Sequence, residues 1–282
     1  MNAPLALALS VAMHVTWNLM ARHLPRESNP LWWVLLAHLV LFAPWGFWEL
    51  ATTVVWSLEM TLLLIVSATA NVVYFSGLAR AYEHAPVALV YPLVRSSPLF
   101  IAIWGTLFFG QNLPPIAWLG IGISVLGLLV MASSAQQGSD RRAFRWAMLA
   151  MLATSVYSLS DKAATEHIPS FMGLVGFLSV GYLASWISMT LRMHRHTRSW
   201  VPAQRIDLAS LALGGTCIGL AYALVIHAMR QLPAAEVVSY TNAGIVLAAV
   251  LSIFLFNDKV GWQKRIMGVV IITSGLGVLA MR

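Results

Sequence analysis

Ten apolar blocks, each close to the length of a membrane-spanning helix, account for most of the chain. They cover residues 3–21, 31–49, 60–80, 87–109, 115–133, 144–164, 171–191, 207–229, 236–256 and 264–281. A helix rises about 1.5 Å per residue, so about 20 residues cross the roughly 30 Å of bilayer hydrocarbon. Only 10% of the residues are charged, whereas a soluble domain carries about 25%. The pattern predicts an all-α integral membrane protein with ten transmembrane helices and no soluble domain.

The first block could be mistaken for a cleaved leader. It has no basic residues before its apolar run, and the run continues through His14, Trp17 and Asn18. A secretory leader has a charged start and a shorter apolar stretch. We therefore expect the first block to be a retained helix.

Basic residues are concentrated in or beside the loops that follow the odd-numbered blocks. They are Arg22, Arg26, Arg80, Arg141, Arg142, Arg145, Arg192, Arg195, Arg198, Arg205, Lys259, Lys264 and Arg265. The opposite side keeps Lys162, Arg230 and Arg282. The positive-inside rule then predicts that the odd-numbered loops are cytoplasmic and both termini are outside. Since no soluble basic face remains, we interpret the net charge of +7 as a topology signal and expect no nucleic-acid partner.

The chain resembles itself at a spacing of about 148 residues. The matching pairs are Tyr74 with Tyr222, Gly120 with Gly268, and Gly127 with Gly275. The two halves, 1–135 and 142–282, each hold five predicted helices, and an odd number forces the halves into opposite orientations. Inverted repeats are typical of secondary transporters, which hold the substrate near the midplane between the halves.

Three groups of residues carry a resemblance to a known family. They are HVTWNLMAR at 14–22, ARAYEHAPVALVYPLVRSSPLF at 79–100, and the turns GQNL and NDKV before glycine-rich helices. In this order they resemble the ten-helix, EamA-type branch of the drug/metabolite transporter superfamily across nearly the whole chain. The resemblance implies two EamA-type repeats and a multi-pass protein, which we expect in the cytoplasmic (inner) membrane. The HxxWN start resembles a subgroup often linked to phosphonate or amino-compound utilisation.

Two features depart from the family pattern. Gln111 and Asp258 stand in turns where the family usually has glutamate. Family members are also commonly drawn with both termini in the cytoplasm, opposite to the orientation that the charge count predicts.

Arg95 lies in the middle of an apolar block, between Pro92 and Pro98. It is nine residues beyond Pro86, which is roughly 13 Å into the span. A central arginine costs about 2.5–3.5 kcal/mol on insertion scales and requires an anionic or carbonyl partner. The prolines predict a broken helix, tolerated at this depth only inside protein or beside a cavity. Arg95 is then either a clamp for a substrate carboxylate, phosphonate or phosphate, or a structural cation that pairs with Asp161 or caps freed carbonyls.

Helix 1 carries the polar candidates His14, Trp17 and Asn18. His14 and Asn18 are four residues apart and share one helix face, at a depth close to that of Arg95. His14 could shuttle a proton or bind substrate. The alternative is a neutral histidine bonded to a neighbouring helix.

Asp161 is the best candidate for a buried acid, either as the partner of Arg95 or as a proton carrier, and Lys162 is expected to snorkel to the interface. Glu83 and Glu236 are predicted to cap helix starts in contact with solvent. Further candidates for the cavity lining are Asn71, Tyr74, Tyr222, Tyr240 and Asn242. Tyr74 and Tyr222 are expected to face each other, because the repeat relates them.

The leading hypothesis is a secondary transporter of a small anionic or zwitterionic metabolite, such as an amino acid or organophosphonate. It would work by alternating access with proton or exchange coupling, as a monomer or homodimer. The glycines on the fifth and tenth predicted helices serve either dimerisation or packing within the chain. The sequence contains no GxxxxGK[ST] motif of the kind that would indicate ATP use. We expect no cofactor or metal. The alternatives are an exporter of lipophilic cationic drugs or amines and, in another class, a membrane-embedded lipid-modifying enzyme. The enzyme hypothesis lacks support, because such an enzyme needs clustered catalytic groups and the acidic residues here are spread along the chain.

Overall fold

The structure is a computed structural model that describes residues 1–21, 24–25, 28–135, 140–257 and 259–281. Arg22, Arg26, Asp258 and Arg282, used above, lie outside the described residues. The described residues form α-helices and contain no β-strand. The helices are α1 (Ala3–Ala21), α2 (Pro30–Leu41), α3 (Ala43–Thr53), α4 (Leu58–His84), α5 (Val87–Val94), α6 (Pro98–Phe109), α7 (Pro115–Ala132), α8 (Arg141–Ala164), α9 (Phe171–Thr197), α10 (Leu208–Met229), α11 (Ala234–Thr241), α12 (Ala243–Phe254) and α13 (Trp262–Ala280).

Among these residues, eight segments are long and apolar enough to span a membrane, or nine if the bent pair α2–α3 is one span. The segment outside this set is α8, which carries a run of polar side chains. Thr154, Ser155, Ser158, Ser160 and Asp161 are all buried. A helix that keeps its polar groups away from lipid can tolerate a lower hydropathy. The all-α membrane architecture is confirmed, while the count of ten stays a prediction.

The block predicted as one helix at 31–49 contains a bend. Helices α2 and α3 meet at Phe42 at an angle of 54°. The Phe42 N–H donates to the His38 carbonyl at 2.9 Å and closes α2. Pro44 lies at the start of α3, where a proline needs no N–H and cannot continue the preceding ladder. Pro44 therefore explains why two helices occupy the block predicted as one.

Two other spans are broken near their middle. Helix α5 ends at Val94 and α6 begins at Pro98, as the prolines predict. The Val94 carbonyl cannot receive an N–H from Pro98 and accepts one from Ser97 at 3.3 Å instead. The equivalent span breaks at Asn242, between α11 and α12, although no proline marks that position.

The described chain divides into two units, and each draws on both halves of the sequence. Unit 1 comprises Met1–Val72 and Ser160–Gln231, and unit 2 comprises Val73–Leu159 and Leu232–Arg282. In unit 1, α1 packs on α10 and α3 packs on α9, while α2 contacts both α9 and α10. In unit 2, α7 packs on α13 and α5, and α6 packs on α11. The repeat limits 1–135 and 142–282 are a division of the sequence, and they stay a prediction.

The contact between α7 and α13 has two-fold symmetry. A Cβ added to Gly120 would lie 2.9 Å from the Gly275 oxygen, and one added to Gly127 would lie 2.9 Å from the Gly268 oxygen. Gly120 corresponds to Gly268 in the repeat and Gly127 to Gly275, so equivalent residues make equivalent contacts in reversed order. The two helices therefore run antiparallel, as inverted repeats require. These glycines serve packing within the chain, the second of the two uses considered above.

A still closer contact joins α3 and α9 in unit 1, and it gives a stability prediction. A Cβ on Gly176 would overlap the Gly46 carbonyl oxygen and lie 2.5 Å from its carbon. We expect Gly176→Ala to destabilise the protein by about 3 kcal/mol, because backbone cannot yield as a side chain does.

The measurement uses Cys217, the single cysteine, which is buried. A thiol-reactive fluorophore reports its exposure on heating. Gly122→Ala is the matched control, since a Cβ there meets nothing within 4 Å. Equal melting temperatures for the two variants would contradict the close contact.

Candidate functional site

Arg95 lies at the break between α5 and α6 and is held by two hydroxyl groups. Its Nε and Nη2 donate to the Tyr91 hydroxyl at 3.1 and 2.9 Å, and its Nη1 donates to Oγ1 of Thr241 at 3.0 Å. The guanidinium carbon is 5.3 Å from the centre of the Tyr91 ring. The side chain is partly buried. The arginine is thus oriented by neutral oxygens on both sides.

Within unit 2, the break between α11 and α12 contacts the break between α5 and α6. Asn242 is fully buried, and its Nδ2 donates to the Arg95 carbonyl at 3.4 Å. The Asn242 Oδ1 and the Ser97 Oγ are buried and have no hydrogen-bond partner among the described residues. Buried polar atoms without partners are rare and call for an explanation. Two such atoms therefore lie at the same junction as a positive charge.

The partners of Arg95 bear on whether it caps backbone carbonyls, one of the two structural roles considered above. The described side chain donates to hydroxyl groups and to no carbonyl, so the capping interpretation is wrong. Within the described part of unit 2, the ion pairs join Asp140 to His84 and to Arg142, and none involves Arg95. Its charge is therefore not compensated by a carboxylate of its own unit.

Asp161 lies in α8, is 1% exposed and is bound by two hydroxyl groups in unit 1. Ser67 Oγ donates to its Oδ1 and the Tyr222 hydroxyl donates to its Oδ2, each at 2.5 Å. Asn71 extends the group, because its Nδ2 donates to the Ser67 carbonyl at 3.0 Å. Within the described part of unit 1, no cation is within ion-pair distance of Asp161. The acid is enclosed by neutral donors.

Lys162 bonds to the end of a helix in its own unit, and its predicted snorkelling to the interface stays a prediction. Its Nζ donates to the carbonyl of Met229, the last residue of α10. A cation is favourable at a helix C-terminus, where carbonyls lack intrahelical partners. Lys162 therefore stabilises the end of α10.

The three candidates on α1 belong to unit 1. The Nδ1 of His14 is 2.9 Å from the Ser10 carbonyl oxygen, one turn earlier in the same helix. Trp17 packs on α10, because a Cβ added to Gly214 would lie 2.8 Å from its ring. His14, Trp17 and Asn18 are all partly buried. The structure ties Trp17 to helix packing and leaves a substrate role for the three as a prediction.

The remaining aromatic candidates are divided between the units. Tyr74 belongs to unit 2 and packs edge-on against Tyr157 with 5.7 Å between ring centres. Tyr222 belongs to unit 1 with Asp161, so the predicted facing of Tyr74 and Tyr222 stays a prediction. Tyr240 is partly buried on α11 in unit 2, one residue before Thr241.

The predictions for the two glutamates were wrong in different ways. Glu83 is exposed but lies in the last turn of α4, not at a helix start. Glu236 lies in the first turn of α11, as predicted, but it is 1% exposed and so is not in contact with solvent.

The structure thus gathers predicted residues into two groups. We call Arg95, Tyr91, Thr241 and Asn242 the Arg95 cluster, and Asp161, Ser67, Tyr222 and Asn71 the Asp161 cluster. The sequence analysis missed Tyr91, Thr241 and Ser67. Tyr91 could have been found, because it precedes Arg95 by four residues and so shares its helix face. Nothing in the apolar surroundings of Ser67 distinguishes it from a packing residue.

Helices of membrane-spanning length, two of them broken at buried polar groups, define a multi-pass integral membrane protein of the transporter class. The model of the EamA-like transporter family matches residues 1–133 and 142–281. The chain therefore belongs to the EamA-like transporter family, with one repeat in each half. Membership indicates a transporter.

Two further comparisons agree with this assignment. The uncharacterized transporter YwfM of Bacillus subtilis (strain 168) is 27% identical over 94 residues, which cover 30% of this chain and 32% of that protein. The chain therefore matches about a third of the length of this relative. A solved crystal structure is 17% identical with a TM-score of 0.72 over 98% of each chain. The second likeness concerns the fold alone.

Proposed function

We propose that this protein is a secondary transporter of a small anionic or zwitterionic metabolite, with Arg95 as the group that binds the substrate's negative charge. The observation that carries the proposal is the Arg95 cluster, where a guanidinium near mid-span has only neutral partners in its own unit. An amino acid or an organophosphonate has the required charge. The transporter works by alternating access in the cytoplasmic (inner) membrane, as a monomer or homodimer.

The geometry of the Arg95 cluster suits an incoming anion. The Tyr91 hydroxyl receives two of the guanidinium N–H groups and Thr241 receives another, which leaves two of the five donors of an arginine for a ligand. A carboxylate or phosphonate accepts paired hydrogen bonds from such a fork. The Asn242 and Ser97 side chains offer further hydrogen bonds to the polar part of a substrate.

The Asp161 cluster suits a proton that travels with the substrate. A buried carboxylate without a cation is costly, and protonation removes that cost. The Ser67 and Tyr222 hydroxyls donate to the ionised acid, and a hydroxyl can also accept, so it remains bonded when the acid is protonated. The same two partners therefore accommodate both protonation states.

A ligand screen tests this function. The purified protein is heated with amino acids and alkylphosphonates, and with the amides, methyl esters and alcohols that correspond to them. Unfolding is followed through Cys217. We expect stabilisation by the anionic and zwitterionic compounds and a loss of about 100-fold in affinity for the neutral or cationic analogues, because Arg95 then loses its partner.

The outcome separates the proposal from its alternative. Stabilisation by lipophilic amines, with no response to any carboxylate or phosphonate, would overturn the anionic substrate and favour a cation exporter. Stabilisation that is equal for acids and their amides would show that Arg95 does not recognise the charge.

A further inference from the structure

Unit 2 contains a second feature, a groove of about 580 Å³ between α5, α7 and the start of α8. Its walls are mostly apolar and include Leu89, Leu93, Leu129, Ala132 and Phe144. Leu129 is 44% exposed and Phe144 is 55% exposed, so part of this wall is open to the surroundings of the protein. A groove of this size falls in the range of about 300–1,000 Å³ typical of small-molecule sites.

The mouth of the groove is polar and positively charged. Arg141, Arg145 and Asp140 line it, and both arginines are exposed. Asp140 accepts the Arg142 N–H at 2.9 Å and lies 3.8 Å from Nε of Arg142 and from Nδ1 of His84. Its charge is therefore already matched by Arg142, which does not line the groove. Arg141 and Arg145 form no ion pair with the described residues.

These two arginines occupy an unfavourable position in their own helix. They lie in the first turns of α8, which has no acidic residue in its first turn. The N-terminus of a helix carries a partial positive charge and favours anions. Arg141 and Arg145 therefore add their positive charges to that of the N-terminus of α8, and an anion there would relieve the repulsion.

We propose that this groove binds one anionic phospholipid, with the phosphate at Arg141 and Arg145 and an acyl chain along the apolar wall. The combination of charge and an exposed apolar wall selects this ligand over a soluble anion. A free phosphate would use the mouth alone and leave Leu129 and Phe144 uncovered. A lipid covers both parts, because its headgroup and chain meet at the membrane interface, where basic pockets between helices bind anionic headgroups. The site is separate from the Arg95 cluster and does not depend on the substrate.

The proposal is tested on the delipidated full-length protein by native mass spectrometry, with dioleoylphosphatidylglycerol, dioleoylphosphatidylcholine and glycerol phosphate as probes. We expect phosphatidylglycerol to bind in preference to phosphatidylcholine. The double variant Arg141→Gln/Arg145→Gln should weaken phosphatidylglycerol binding by about 25-fold, on the basis of about 5-fold for each basic residue near a membrane surface. Leu129→Trp fills the apolar wall and should weaken binding of the lipid without changing the net charge.

The matched control removes the same charge elsewhere. Arg195→Gln/Arg205→Gln lies in another basic and exposed part of the chain, outside the groove, and should leave lipid binding unchanged. An equal loss in both double variants would reduce the effect to net charge and overturn the site. Equal binding of the two lipids would also overturn it. Displacement of phosphatidylglycerol by an equal concentration of glycerol phosphate would identify a soluble anion as the ligand instead.

Discussion

Replacement of Arg95 by glutamine is expected to lower substrate uptake into proteoliposomes by about 100-fold or more. The estimate follows from the cost of leaving a buried anionic group without its charged partner, about 2–5 kcal/mol. Glutamine can still donate one hydrogen bond to Tyr91 or Thr241. The break between α5 and α6 is retained, because it depends on Pro98. The measurement is initial uptake of the ligand that the screen identifies, with the melting temperature as a check on folding.

Three further variants make the result specific. Arg95→Lys keeps the charge but loses the fork, and should retain part of the uptake. Tyr91→Phe removes the hydroxyl that receives two N–H groups of Arg95 and should raise the apparent KM, because the guanidinium is less well oriented. Arg80→Gln is the control, since this exposed arginine stacks on Trp146 at 4.4 Å. Full uptake by Arg95→Gln would mean that Arg95 has a structural role.

The second large effect is expected at Asp161. Asp161→Asn should abolish accumulation driven by a pH gradient. Asparagine keeps a hydrogen-bonding amide, but it cannot take up and release a proton during transport as a carboxyl group does. With one proton carried per substrate molecule and no membrane potential, a gradient of one pH unit supports about tenfold accumulation, equivalent to about 1.4 kcal/mol. The variant should reach no accumulation. Exchange of labelled for unlabelled substrate across the membrane should continue.

The hydroxyl partners provide a graded comparison. Ser67→Ala and Tyr222→Phe each remove one donor to Asp161 and should shift the pH dependence of uptake without abolishing it. If Asp161→Asn accumulates substrate as the natural protein does, Asp161 is not the coupling group. If exchange is lost together with accumulation, the residue is needed for binding or for the conformational change.

The fold could be predicted in large part because hydropathy acts over whole segments. Blocks of about 20 apolar residues leave few alternatives to membrane helices, and packing within the chain was one of the two uses predicted for the glycines that α7 and α13 bring together. The break at Pro98 was also visible in the sequence. The break at Asn242 was not, because no proline marks that position.

The candidate site was predictable at the level of residues but not of partners. Arg95 and Asp161 stand out because a charge within an apolar block is costly. Which oxygen accepts from Arg95 depends on how α5 and α11 meet, and Thr241 carries no signal of that contact. The sequence offered the pairing of Arg95 with Asp161 as one alternative; the structure gives each residue hydroxyl partners within its own unit, and the pairing stays a prediction.

The meeting of the two helix breaks shows what a duplicated chain can do that a pair of identical chains cannot. In a homodimer of one repeat, both breaks would carry the same residue, and two arginines would face each other across the axis. Fusion of the halves lets one break keep Arg95 while the other has Asn242, whose amide donates to the Arg95 carbonyl. A nearly symmetric framework thereby holds a single positive group, which matches the single negative group of the proposed substrate.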